Sequence, residues 1–192
     1  MPTVRLAPLQ PDHRARVREI LEGTRAFSAA EVEVALELFD EGVVADTASS
    51  VATATRTAAA DYELLGAYDA EGELRGYACF GPTPGTDRTW DLYWIATDAT
   101  HHGQGVGSQL LLGVEEALAH RGVRLLVAET SSRSEYDRTR RFYRSRGYLE
   151  AARLRDFYGV SDDRIMYVKR LDPASPRAEL SPFSDSERGV PR

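Results

Sequence analysis

The spacing of apolar residues along the chain changes period several times, and each change marks an element. Thr3 to Ala7 reads as a short strand. Pro11 stands at a first helical position, and Val17, Ile20 and Leu21 then share one helical face up to Gly23. Ser28 and Glu31 form an S-x-x-E capping box, with Val32, Ala35, Leu36 and Phe39 at helical spacing and Gly42 as the expected stop. Residues 43–60 break the pattern. Ala, Thr and Ser fill 13 of these 18 positions, too little side chain to anchor the segment by burial, so a mobile loop or loose helix is expected.

Strand periods then take over. Tyr62 to Tyr68 and Glu73 to Phe80 predict a hairpin around Asp69 to Gly72, broken afterwards by Pro82, Pro84 and Gly85. Thr89 to Ala96, rich in aromatic and branched residues, predicts a third strand. A glycine cluster leads into a helix from about Gly105 to Arg121, with Gly122 as its cap. Val123 to Ala128 is apolar almost throughout, as in a strand covered on both faces. A further helix from about Glu135 to Arg146 ends at Gly147, and Tyr148 to Phe157 and Ile165 to Arg170 close the pattern as strands. The order β-α-α-β-β-β-α-β-α-β-β predicts an α/β domain over residues 1–171, with a central sheet and flanking helices. Residues 172–192 hold four of the nine prolines, with serines and alternating charge, and predict a disordered tail.

Composition narrows the partners. The 192 residues suit one domain with an appendage. The net charge of −6 disfavours general nucleic-acid or anionic-membrane binding. No apolar run approaches a membrane span, and the first residues do not read as a signal peptide. The single cysteine, Cys79, makes neither an internal disulfide nor a cysteine-rich zinc site, which points to the cytoplasm. His101 and His102 are adjacent and make poor joint metal ligands, so no metal is expected. A homodimer is compatible with all of this.

The chemistry concentrates in His102-Gly103-Gln104-Gly105-Val106-Gly107-Ser108, between a predicted strand and a predicted helix. Glycines admit positive φ and close approach of a ligand, and exposed amides at a helix start form an anion site. Such clusters also make plain turns. A P-loop is excluded because no Lys-Ser or Lys-Thr pair follows, and G-x-G-x-G in mid-chain does not match the dinucleotide fingerprint.

The stretch Asp91 to Thr97, followed by H-G-Q-G-V-G and an amphipathic helix, resembles the acyl-CoA-binding motif of the GNAT N-acetyltransferases, Q/R-x-x-G-x-G/A. His102 stands where Gln or Arg is usual. Arg141 to Tyr148 resembles the family's second signature, a helix with a Phe-Tyr pair and a Gly-Tyr step, although Tyr136 occupies the neighbourhood where the family often has a pantetheine-binding Asn. The resemblance spans roughly Thr3 to Arg170. It implies a mixed, mostly antiparallel sheet, acetyl-CoA as co-substrate, and acetyl transfer to an amine on a small molecule or peptide. It also implies backbone pairing of the pantetheine arm with Ile95 and Thr97, and Tyr143 as general acid. For the general base, Asp91, Glu129 and a water stay open. Asp91 alternates with Tyr93 and Ile95, which predicts one shared face. The six arginines between Arg133 and Arg146 either steer the CoA phosphates or form a solvated helix face. A domain that binds acyl-CoA without turnover, as a sensor or interaction module, is the alternative to an enzyme.

Overall fold

The computed structural model describes residues 3–49 and 62–171. The C-terminal tail 172–192, expected to be disordered, lies outside the described residues, as do residues 50–60 of the segment expected to be mobile. The elements run β1 (Arg5–Pro8), α1 (Arg14–Thr24), α2 (Ala29–Ser49), β2 (Glu63–Tyr68), β3 (Leu74–Pro82), β4 (Thr89–Thr97), α3 (Val106–His120), β5 (Leu125–Ser131), α4 (Asp137–Ser145), β6 (Leu149–Gly159) and β7 (Asp162–Arg170). The order is the one predicted from the sequence.

Seven strands form one sheet in the order β1-β2-β3-β4-β5-β7-β6. Every neighbouring pair is antiparallel except β4 and β5, which are parallel and joined through α3. The fold is thus α/β with a mixed, mostly antiparallel sheet. Helices α1 and α2 bury Val17, Ile20, Leu21, Leu36 and Phe39 against one face, where Tyr77, Cys79 and Ala96 project. On the other face Leu111, Val114 and Leu118 of α3 and Tyr143 of α4 pack on Phe80, Leu92, Leu126 and Ala128.

The capping box forms as predicted: Glu31 Oε2 accepts from the Ser28 amide and hydroxyl, both at 2.7 Å, and the Glu31 amide donates to Ser28 Oγ at 3.3 Å. Gly42, however, does not end the helix, which runs on to Ser49, so residues 43–49 of the segment expected as a mobile loop or loose helix are helical. A Cβ at Gly42 would stand 3.0 Å from the Leu64 side chain. The glycine admits β2 close to the helix rather than breaking it. Nor does Gly23 end α1; Arg25 does, in the left-handed conformation at φ 55°. Gly122 and Gly147 do serve as caps. After each, the next amide reaches back to the helix, Val123 to the Leu118 carbonyl at 3.0 Å and Tyr148 to the Tyr143 carbonyl at 3.1 Å.

Candidate active site

Strands β4 and β5 pair only from Thr89↔Leu125 to Leu92↔Ala128. Beyond Leu92, β4 continues beside β3 as far as Thr97↔Gly76, and β5 continues beside β7 as far as Ser131↔Arg164. The two middle strands therefore split apart, and the edge of β4 that carries Ile95 and Thr97 has no strand partner on the β5 side among the described residues. Backbone groups along such an edge are donors and acceptors in search of a partner.

A bulge lies at the start of the split. Cys79 pairs with Trp94 but Phe80 pairs with Leu92, so Tyr93 is an extra residue in β4. Trp90 and Leu92 face α3, and Ile95 does too, while Tyr93, Trp94 and Ala96 all face α1 and α2. This corrects the expectation that Asp91, Tyr93 and Ile95 share one face. The extra residue reverses the alternation, so Asp91 and Ile95 lie on opposite sides.

The glycine loop closes one end of the split. Gly103 and Gly105 take φ of 81° and 90°, and Gly105 is the N-cap of α3. With no side chain there to cap the helix, the first-turn amides of Val106, Gly107 and Ser108 face outward. Gly107 sits over the split, where a Cβ would stand 3.5 Å from Thr97 and 3.8 Å from Phe142. His102 is fixed on both sides: Arg138 Nη1 donates to its Nδ1 at 3.1 Å, which leaves the proton on Nε2, 3.2 Å from the Thr97 carbonyl it donates to. Arg146 lies over the Phe142 ring at 5.4 Å and donates to Ser108 Oγ. Positive φ, uncapped amides and two guanidiniums from the α4 region together suit an anion. Gln104 lies in the turn between them, its amide donating to the His101 carbonyl at 3.3 Å.

Two supporting residues, Asp98 and Arg140, carried no individual sequence signal. Asp98 accepts from the Thr100 amide and hydroxyl at 2.9 and 2.7 Å and from Arg16. Burial works against its charge, but the Thr100 and Arg16 hydrogen bonds outweigh it and hold the carboxyl down at about 2. It anchors the end of β4 to the start of the loop. Arg140 is 8% exposed and donates to the Ser131 and Arg133 carbonyls at 2.6 and 2.8 Å and to Asp137, which locks the corner from β5 into α4. Tyr136 turns away from the split floor: its hydroxyl donates to the Ala26 carbonyl at 3.1 Å and lies 3.4 Å from Glu31. The arginine cluster thus divides by role. Arg138 and Arg146 stand at the loop, while Arg133 and Arg144 pair with Asp162 and Glu150.

Tyr143 is 3% exposed, between the rings of Phe142, Tyr148 and Tyr167 at 5.6, 5.3 and 5.6 Å. Burial pushes its phenol up, so it stays protonated at neutral pH. Asp91 accepts from the Thr83 hydroxyl at 2.7 Å and lies on the stretch of β4 still paired with β5. Glu129 lies on the open stretch of β5 and is ion-paired with Arg164. Cys79 is buried under α1 and α2, and burial pushes its thiol up to about 12, which removes it as a nucleophile. Among the described residues no group of three or more His, Cys, Asp or Glu could hold a metal ion, and no helix is long and apolar enough to cross a membrane.

Comparison with known proteins gives one consistent answer. The family model for acetyltransferases of the GNAT family matches residues 32–148. A solved GNAT-family protein from Desulfovibrio desulfuricans is 36% identical, with a TM-score of 0.77 over 88% of this chain and 100% of that one. The ribosomal-protein-S18-alanine N-acetyltransferase of Escherichia coli shares the fold at 18% identity, with a TM-score of 0.67 over 93% of this chain and 100% of that one. The Salmonella typhimurium protein yncA, solved with acetyl-CoA, does so at 19% identity and a TM-score of 0.65, over 92% of this chain and 99% of that one. No curated protein matches the chain. A family match over more than half of the sequence, on a split sheet with a glycine-capped helix beside it, makes this chain a member of the GNAT acetyltransferase family.

Proposed function

We propose that the protein transfers an acetyl group from acetyl-CoA directly to a primary amine. The observation that carries this reading is the end of the β4–β5 ladder at Leu92↔Ala128 beside the uncapped start of α3. The residues present suit acetyl-CoA. The amides of Gly103, Gly105, Val106, Gly107 and Ser108 would hold the pyrophosphate, with the guanidiniums of Arg138 and Arg146 adding charge. The free edge of β4 at Ile95 and Thr97 would pair with the amides of the pantetheine arm. When bound, acetyl-CoA supplies an activated thioester.

The amine nitrogen attacks the thioester carbonyl, the carbon–sulfur bond breaks, one proton leaves the amine and one arrives at the thiolate. Tyr143 is the donor to sulfur. Its raised pKa keeps the proton available, and a phenol beside a developing thiolate stabilises it by hydrogen bonding even where full transfer is uphill. Glu129 is better placed than Asp91 to receive the amine proton, because only Glu129 lies on the open stretch. Asp91 is the alternative, and Asp91→Asn against Glu129→Gln separates them: the base variant loses turnover and recovers part of it as pH rises and more amine arrives neutral. Direct transfer follows from the chain's own chemistry, since its one thiol is buried and protonated.

The test of the reading is thiol release from acetyl-CoA with a panel of amines. Release with at least one amine, with acetyl on the amine by mass spectrometry, is expected. Binding of acetyl-CoA with no release from any amine would leave a non-catalytic acyl-CoA module instead.

A further inference from the structure

The open edge of β4 offers a ligand fewer backbone groups than its length suggests, because the chain itself occupies one of them. The Asp98 amide donates to the Arg75 carbonyl on β3 at 2.8 Å. The carbonyl of the same trans peptide points the opposite way, so Thr97 C=O faces the split. Backbone groups on one side of a strand recur every second residue, and the register Gly76↔Thr97, Tyr77↔Ala96, Ala78↔Ile95 is unbroken. Four groups therefore face the split: the N–H and C=O of Ile95 and the N–H and C=O of Thr97. Neither residue is buried.

The fourth of these groups is taken. His102 Nε2 lies 3.2 Å from the Thr97 carbonyl. Arg138 settles that this contact is a hydrogen bond. A guanidinium has only donors, and its Nη1 stands 3.1 Å from His102 Nδ1. Nδ1 must accept, so the proton of the neutral ring sits on Nε2 and is donated to Thr97. The turn that carries the ring is pinned in its own right. Asp98 accepts from the Thr100 amide and hydroxyl, and the neighbouring His101 ring is engaged elsewhere, 2.9 Å from the Thr100 hydroxyl and 3.6 Å from Asp98. His102 is exposed, so its two bonds add little to stability. Their consequence is which backbone group stays free.

We propose that His102 is a positioning residue that fixes how the pantetheine arm of acetyl-CoA meets β4, by withholding the Thr97 carbonyl. Each amide of the arm has one N–H and one C=O. At Thr97 it has two ways to pair, with its C=O on the Thr97 N–H or with its N–H on the Thr97 C=O. Only the first is open while His102 holds the carbonyl. The two pairings differ in how far the arm advances along the strand, and so in where the thioester comes to rest. With one of them closed, every bound molecule presents its thioester at the same depth in the split, and the arrangement is set before the ligand arrives.

This inference rests on the acetyl-CoA reading, and its test separates the two. The isotope-labelled full chain is titrated with acetyl-CoA, the Ile95 and Thr97 amide resonances are followed by NMR, and calorimetry is run on the same samples. The wild type should give one bound resonance for each amide, with that of Thr97 moved downfield as its N–H gains an acceptor. His102→Ala opens the fourth group. Its bound Ile95 and Thr97 resonances should split or broaden, while the affinity for acetyl-CoA stays within about threefold, a difference of less than 1 kcal/mol. Turnover of any amine the wild type acetylates should fall by the fraction of molecules in the second arrangement. His102→Gln supplies an amide N–H for Thr97 and a carbonyl for Arg138, and should return single resonances and the lost turnover. A bound spectrum of His102→Ala that matches the wild type at Ile95 and Thr97 overturns the inference. So does a His102→Gln spectrum that stays split, or a loss of acetyl-CoA binding in His102→Ala, which would make the ring an anchor for the phosphates. Failure of the wild type to bind acetyl-CoA would instead overturn the reading on which the inference rests.

Discussion

The closed and open halves of the β4–β5 pair are made from the same two strands and behave oppositely. In the closed half, Trp90, Leu92, Leu126 and Ala128 join one apolar cluster under α3, and the backbone groups meet across a parallel ladder. In the open half, Tyr93 bulges, Glu129 is exposed, and the buried Thr130 Oγ1 and Trp94 Nε1 have no partner. One half is satisfied by the protein alone and the other is not. The difference shows where stability has been given up for binding, since orphaned polar groups and a free strand edge persist only where the rest of the fold holds them. Arg140 and Asp98 are the holders, one at each side of the opening.

That contrast can be broken from either half. The largest expected effect is chemical. Tyr143→Phe keeps the ring among Phe142, Tyr148 and Tyr167 and removes only the hydroxyl, so kcat should fall roughly 10²-fold or more. The acetyl-CoA affinity should stay within about twofold, on the scale of a small change in free energy. Steady-state kinetics beside calorimetry will read both, and wild-type turnover would reduce Tyr143 to a packing residue.

In the closed half, Leu126→Ala empties a site that is 0% exposed and should lower stability by roughly 2–5 kcal/mol in chemical denaturation. Asp98 sharpens the comparison through pH. Its folded value of about 2 lies below the ordinary aspartate value, so its contribution is present above about pH 4 and is lost as pH falls toward 2. The shift corresponds to about 2 kcal/mol. An Asp98→Asn variant should therefore show a flatter loss of stability across that window than the wild type. The smallest effect belongs to the open half: Thr130→Val removes an orphaned hydroxyl and should raise stability by up to about 1 kcal/mol, visible as a small rise in Tm.

Much of this geometry was legible in the residues. The apolar run from Val123 stops at Ala128, and the polar Glu129-Thr130-Ser131 follows; the ladder ends at the same place. The glycine loop and the caps at Gly122 and Gly147 also read directly, because positive φ restricts the residue type. The bulge at Tyr93 did not, since an inserted residue changes the face of everything after it without changing composition. Gly42 misled for a related reason: a small residue that admits a neighbouring strand looks, in sequence, like one that ends a helix. The roles of Arg140, Arg138 and Arg146 depend on contacts with carbonyls, an imidazole and a hydroxyl from other elements, which no local pattern encodes.

The most direct measurement is a calorimetric titration of acetyl-CoA into the wild type and into Gly105→Val. Gly105 has φ of 90°, where a branched residue is strained by roughly 1–3 kcal/mol, and the new side chain would crowd the amides at the start of α3. A circular dichroism melt of the same samples establishes that the variant is folded. The account predicts one acetyl-CoA bound per wild-type chain and no measurable binding to the folded variant. Equal affinity in the two proteins, or no binding to the wild type, would contradict it.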